Sequence, residues 1–174
     1  MNNTAPTHND ASAARLRAQV ERLGEALLAR GWMLATAESC TGGWVAQAVT
    51  AIPGSSRWFE RGFVTYSNAA KMEMLGVAAD TLARHGAVSL ETVAEMVSGA
   101  LCHSHAQAAL AVSGIAGPGG GSPDKPVGTV CLAWALTGRP ASVQNRRFPG
   151  SREVVRRRAV GAALDGMLDH VLRG

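Results

Sequence analysis

Cysteine is scarce in this chain of 174 residues: Cys40, Cys102 and Cys131 are an odd number with no C-x-x-C spacing. That excludes the disulfide framework on which small secreted domains depend and points to a reducing compartment. Long apolar runs are missing too, and Met1 to Ala11 lacks the cationic-then-apolar profile of a signal peptide. The expectation is a soluble, cytoplasmic protein with no membrane partner. The five histidines are scattered, with neither an H-x-x-x-H pair nor a Cys/His cluster, which argues against a metal site. Lysine is confined to Lys71 and Lys125 in a chain that otherwise uses arginine, and Tyr66 is the only tyrosine.

What is present is the balance of a packed globular protein, 47% hydrophobic and 17% charged. The length suits one domain, expected over residues 12–174 behind a disordered tail at 1–11. A formal net charge of +4 fits contact with nucleic acid, an anionic membrane or a phosphorylated small molecule, and alone selects none of them. The basic run Arg156 to Arg158 makes no flat phosphate-binding face, because consecutive helical residues point in different directions.

Leu16, Val20, Leu23 and Leu27 recur at helical spacing and predict a helix over 12–30, stopped by Gly31. Met33 to Ala37 reads as a strand covered on both faces, and Trp44 to Thr50 as a helix after a tight turn. Gly62 to Tyr66 is the next strand candidate, followed by a helix capped by Ser67 or Asn68 with Lys71 in its first turn. A helical hairpin is expected over 79–104, a strand at Ala108 to Val112, and a strand pair at Val127 to Leu136 and Val143 to Phe148. A last helix runs from Ser151 to about Leu172. This order implies a three-layer α/β/α sandwich with a mostly parallel sheet and a late antiparallel hairpin. Ligands of such sheets gather beyond the carboxyl ends of the strands. The turn at 38–43, the segment at 66–71 and the Gly-rich loop at 113–123 fall on that edge.

Ser39 stands between a buried strand and a helix opened by Gly42 and Gly43, where a hydroxyl and backbone N–H groups can face one cleft. A Ser39 or Thr41 helix cap fits the same residues. Lys71, if desolvated beside Ser39, is a base for its hydroxyl; a solvated surface lysine is the alternative. Tyr66 suits a proton relay or a half-buried strand position. Glu38 suits a substrate hydroxyl, an orienting partner for Lys71, or the dipole of the helix that follows. Ser113, Gly114, Gly117, Gly119 and Gly120 belong to a loop able to wrap backbone N–H groups round an anion, though it matches neither the P-loop nor G-x-G-x-x-G. Arg147 and Arg152 flank the last strand's end and could clamp a phosphate. Cys40 lacks a histidine in any of these loops and reads as a small buried apolar residue. Trp44 and Trp58 are candidates to stack on an aromatic ligand, with core packing as their default.

The stretches Thr36 to Gly43, Tyr66 to Lys71, Ser113 to Gly121 and Pro126 to Val130, in this order, resemble the CinA C-terminal domain family, whose stand-alone members are nicotinamide-nucleotide amidohydrolases. The likeness runs from about residue 15 to the C-terminus. It implies hydrolysis of the carboxamide of nicotinamide mononucleotide to nicotinic acid mononucleotide and ammonia, in pyridine nucleotide salvage, by a homo-oligomer that needs no metal or other cofactor. By this resemblance Ser39 is the nucleophile, Lys71 its base and Tyr66 an assistant. Glu38, Thr41, Gly42, Gly43, the Gly-rich loop and the arginines then hold substrate. Ser151 stands where family members often carry an acidic residue. The alternative to an enzyme is a non-catalytic nucleotide- or protein-binding accessory domain linked to competence or DNA damage. Nucleic acid is not the expected partner.

Overall fold

The computed structural model describes residues 8–174, so the first seven residues of the expected tail lie outside the described residues. The first helix, α1 (His8–Arg30), begins inside the stretch expected to be disordered. Its stripe of Val20, Leu23 and Leu27 is fully buried. Gly31 ends it in the left-handed region at φ 63, which glycine adopts without strain, and the Trp32 N–H reaches back to the Leu27 carbonyl at 3.0 Å.

Five strands follow in one sheet: β1 (Leu34–Glu38), β2 (Phe59–Val64), β3 (Ala108–Gly114), β4 (Thr129–Leu136) and β5 (Ser142–Arg147), in the spatial order β2-β1-β3-β4-β5. β1 pairs in parallel with both β2 and β3, while β4 is antiparallel to β3 and to β5. Four strands therefore share one direction and β4 alone is reversed. Between them lie α2 (Trp44–Thr50), α3 (Asn68–Leu75), α4 (Ala79–His85) and α5 (Leu90–Cys102), and α6 (Arg152–Arg173) closes the chain. The second strand runs 59–64 rather than 62–66: Thr65 keeps one bond to β1, its N–H donating to the Glu38 carbonyl at 2.8 Å, and Tyr66 lies beyond the ladder.

The sheet is buried on both faces through most of its width, as uninterrupted apolar strands require. On one face α1, α2 and α6 pack Val20, Leu27, Val45, Val160 and Leu164 around Leu34, Leu110 and Leu132. On the other, Val93, Met96 and Val97 of α5 meet Ala35, Ala37, Ala109, Ala111 and Ala133. Methyl groups in place of larger side chains let α5 sit close to the sheet. Trp58 is buried in the first cluster, so core packing is its role.

α5 also draws in α3, the helix that carries Lys71. A Cβ on Gly99 would lie 2.0 Å from the Leu75 carbonyl oxygen. In an open helix Gly→Ala gains up to about 1 kcal/mol. Here the sign is reversed: Gly99→Ala is expected to cost about 1–3 kcal/mol by overpacking, read as a lower midpoint in urea. An unchanged or raised midpoint would show that the α3–α5 contact yields freely.

Candidate active site

Side chains alternate across a strand, so Glu38 and Ser39 at the end of β1 face opposite sides of the sheet. Glu38 points toward α2. It is fully buried, and its carboxylate accepts hydrogen bonds from the N–H groups of Gly43 (3.0 Å), Val45 (3.0 Å) and Ala46 (2.8 Å). These are donors that a helix start leaves without partners. The N-cap of α2 is Gly43, with no side-chain cap of its own. Neither Ser39 nor Thr41 caps the helix, and Glu38 is committed to the helix start rather than to substrate or Lys71.

Ser39 stays tied to the sheet through its N–H to the Val112 carbonyl at 2.9 Å. The chain then reverses: the Gly42 N–H returns to the Ser39 carbonyl at 3.1 Å, and Gly42 and Gly43 take φ 62 and 92, which a side chain would strain. The N–H groups of Cys40 and Thr41 have no hydrogen-bond partner among the described residues. The Thr41 hydroxyl, fully buried, is likewise unpartnered.

On the opposite face Ser67 caps α3, accepting from the Ala70 N–H at 3.0 Å, and Lys71 follows within the first turn. The Lys71 Nζ donates to the Thr65 carbonyl at 2.8 Å and to Ser39 Oγ at 3.1 Å. Only 1% of Lys71 is exposed, and no carboxylate pairs with it among the described residues. Desolvation therefore holds its pKa below the ordinary lysine value. A Cys40 thiolate would oppose this, but burial pushes the Cys40 thiol up to about 11, so at neutral pH it carries no charge. The same shift removes Cys40 as a nucleophile.

Tyr66 is 62% exposed, outside the Ser39–Lys71 contact, and its phenol oxygen accepts from Arg152 Nη2 at 3.0 Å. Arg152 opens α6 behind the cap Ser151, whose hydroxyl accepts from the Val154 N–H, a task an acidic residue performs equally well. Its other nitrogen, Nη1, donates to the Gly117 carbonyl at 3.0 Å, linking Tyr66 to the Gly-rich loop. Within that loop Ser113 is buried with its hydroxyl on the Ala87 carbonyl, and Gly114 still pairs in β3. Gly119 and Gly120 are exposed at the tip. Arg147 is exposed on β5, three strands from β1, and is not brought to Ser39.

Two contributors went unread in the sequence. The Thr65 carbonyl orients Lys71, and a backbone oxygen carries no residue signal. Arg156 donates through Nε to the Cys40 carbonyl at 3.1 Å and through Nη2 to the Thr41 carbonyl at 2.8 Å, beneath the Trp44 ring. Its run of arginines does point in several directions, and this member points at the turn. A separate cavity of about 700 Å³ lies between α1 and α6, lined by Arg15, Arg146, Phe148 and Arg158, and includes none of the residues around Ser39. No helix among the described residues is long and apolar enough to cross a membrane.

The model of the CinA C-terminal domain family matches residues 16–171. A protein of Escherichia coli strain K12 named nicotinamide-nucleotide amidohydrolase PncC is 55% identical over 153 residues, 88% of this chain and 93% of its own. A Pseudomonas putida protein of the same name is 57% identical over 147 residues, 84% of this chain and 91% of its own. Among solved structures, the competence/damage inducible protein CihA of Agrobacterium tumefaciens superposes with a TM-score of 0.87 at 45% identity, covering 90% of this chain and 95% of that one.

Two outcomes follow from the site's electrostatics. Glu38→Ala strands three donors, and at about 1–3 kcal/mol for each buried group left unpaired it should cost about 3 kcal/mol or more in equilibrium unfolding; a substrate-binding carboxylate would leave stability unchanged. For Lys71 the folded pKa lies below the unfolded one, so between the two the unfolded chain binds more protons and stability rises with pH. Lys71→Met should therefore melt higher than the wild type at pH 7, with the gap closing as pH climbs toward about 10.4. A gap independent of pH would contradict a buried, charge-penalised amine.

Proposed function

The chain belongs to the CinA C-terminal domain family, and from that premise we propose that it is a nicotinamide-nucleotide amidohydrolase whose nucleophile is Ser39. The supporting observation is the 3.1 Å contact between Ser39 Oγ and the amine of a buried Lys71 that has no ion-pair partner among the described residues. A lysine penalised for its charge is neutral often enough to take the hydroxyl proton. The freed oxygen attacks the carboxamide carbon of nicotinamide mononucleotide, and the unpartnered N–H groups of Cys40 and Thr41 receive the oxyanion. The Lys71 ammonium returns its proton to the departing nitrogen, and ammonia leaves an acyl-enzyme. Water, deprotonated by Lys71, then releases nicotinic acid mononucleotide.

In this reading Tyr66 and Arg152 lie at the mouth of the site and hold the ribose phosphate with the loop at Gly117. The protein serves pyridine nucleotide salvage in the cytoplasm as a homo-oligomer. The non-catalytic alternative is disfavoured, since a binding domain gains nothing from an amine kept out of water against its charge.

Ammonia release from nicotinamide mononucleotide by the purified protein tests the activity. Ser39→Ala should lose at least about a thousandfold in kcat, and full activity there would end the mechanism. Lys71→Met should lose about a hundredfold to ten-thousandfold, and Lys71→Arg should not recover it, because guanidinium does not deprotonate. With Lys71 as base, kcat/KM should rise with pH along a limb whose inflection lies below the ordinary lysine pKa. A flat profile would assign the proton to another group.

A further inference from the structure

Arg156 grips two successive carbonyls of the turn that follows the nucleophile, at 3.1 Å on Cys40 and 2.8 Å on Thr41. Its guanidinium lies over the Trp44 ring, with Cζ 5.2 Å from the centroid. A trans peptide is planar, so the Cys40 carbonyl and the Thr41 N–H share one unit and point opposite ways. Holding that carbonyl toward α6 aims the Thr41 N–H away from α6. α6 packs on one face of the sheet and α3 on the other, so this direction leads toward the side that bears Ser39 Oγ and Lys71. Thr41 is fully buried, and its N–H, its hydroxyl and the neighbouring Cys40 N–H are all without partners among the described residues. Buried unpaired N–H groups are rare in folded proteins, and three idle donors in two residues suit a ligand oxygen that bears negative charge. A cation on the carbonyl end of an amide also polarises it, which strengthens the N–H at its other end.

We infer that Arg156 is a positioning residue that sets the oxyanion hole from outside the pocket, aiming and strengthening the Thr41 N–H without touching substrate. The inference rests on Ser39 being the nucleophile. It requires arginine in particular, since one planar fork serves two adjacent carbonyls and a lysine ammonium reaches them only as a point charge.

The experiment compares wild type, Ser39→Ala, Arg156→Ala and Arg156→Lys on nicotinamide mononucleotide, each checked for folding by its urea midpoint. Arg156→Ala should lose about tenfold to a hundredfold in kcat, with KM changed by less than about threefold, since the contact acts only when the oxyanion forms. Arg156→Lys should recover little, and added guanidinium ion should restore part of the Arg156→Ala rate. A rise in KM with kcat unchanged would make Arg156 a substrate ligand and overturn the inference, as would an undiminished kcat. A kcat loss that tracks a lowered midpoint and ignores guanidinium would assign it a merely structural role. An inactive wild type would refute the amidohydrolase reading itself, whereas an active wild type with an equally active Arg156→Ala would refute this inference alone.

Discussion

An amine held out of water, with one carbonyl and one hydroxyl for company, is the interaction on which the site turns. Burying a lysine without a carboxylate beside it is unfavourable, and the fold offsets this through ordinary packing elsewhere. Three separate pieces of chain must agree for the contact to form. The end of β1 presents Ser39, the exit from β2 turns the Thr65 carbonyl inward, and Ser67 starts α3 so that Lys71 falls one turn later on the inner side. None of the three is catalytic by itself, and each is set by local rules of strand alternation or helix capping.

The turn that follows Ser39 is gripped by opposite charges at opposite polarities. Glu38, below it, gathers the N–H groups that open α2, and Arg156, beside it, gathers the carbonyls of Cys40 and Thr41. Between these two holds the backbone has little freedom. What remains unclaimed is a short row of donors next to Ser39, so the turn's own hydrogen-bond needs define where a ligand's oxygen can go.

Much of this was legible in the sequence because it is local. Ser67 does cap the helix that carries Lys71, and the apolar stripes and runs do mark the helices and buried strands. The convergence of Ser39 and Lys71 followed from the rule that loops meet at the carboxyl edge of a parallel sheet. What the sequence left open were contests that only packing decides. Glu38 could have served a ligand or a helix, and strand alternation turned it to the helix. Arg156 was hidden in a run of three like residues, because helical phase relative to a distant turn is not written in spacing. Arg147 shared the right edge but lay too many strands away, and β2 ended early since Tyr66 was drawn out to Arg152.

The row of alanines under α5 has a consequence for how this protein can change. Ala35, Ala37, Ala109, Ala111 and Ala133 act as a spacer one methyl thick, and through Gly99 that thickness also fixes where α3 stands. Enlarging any of them lifts the helical layer and carries the Lys71 amine away from the Ser39 hydroxyl. Drift at positions remote from that contact is thereby coupled to it, and the tolerance of this layer to substitution is set by a single distance at its rim.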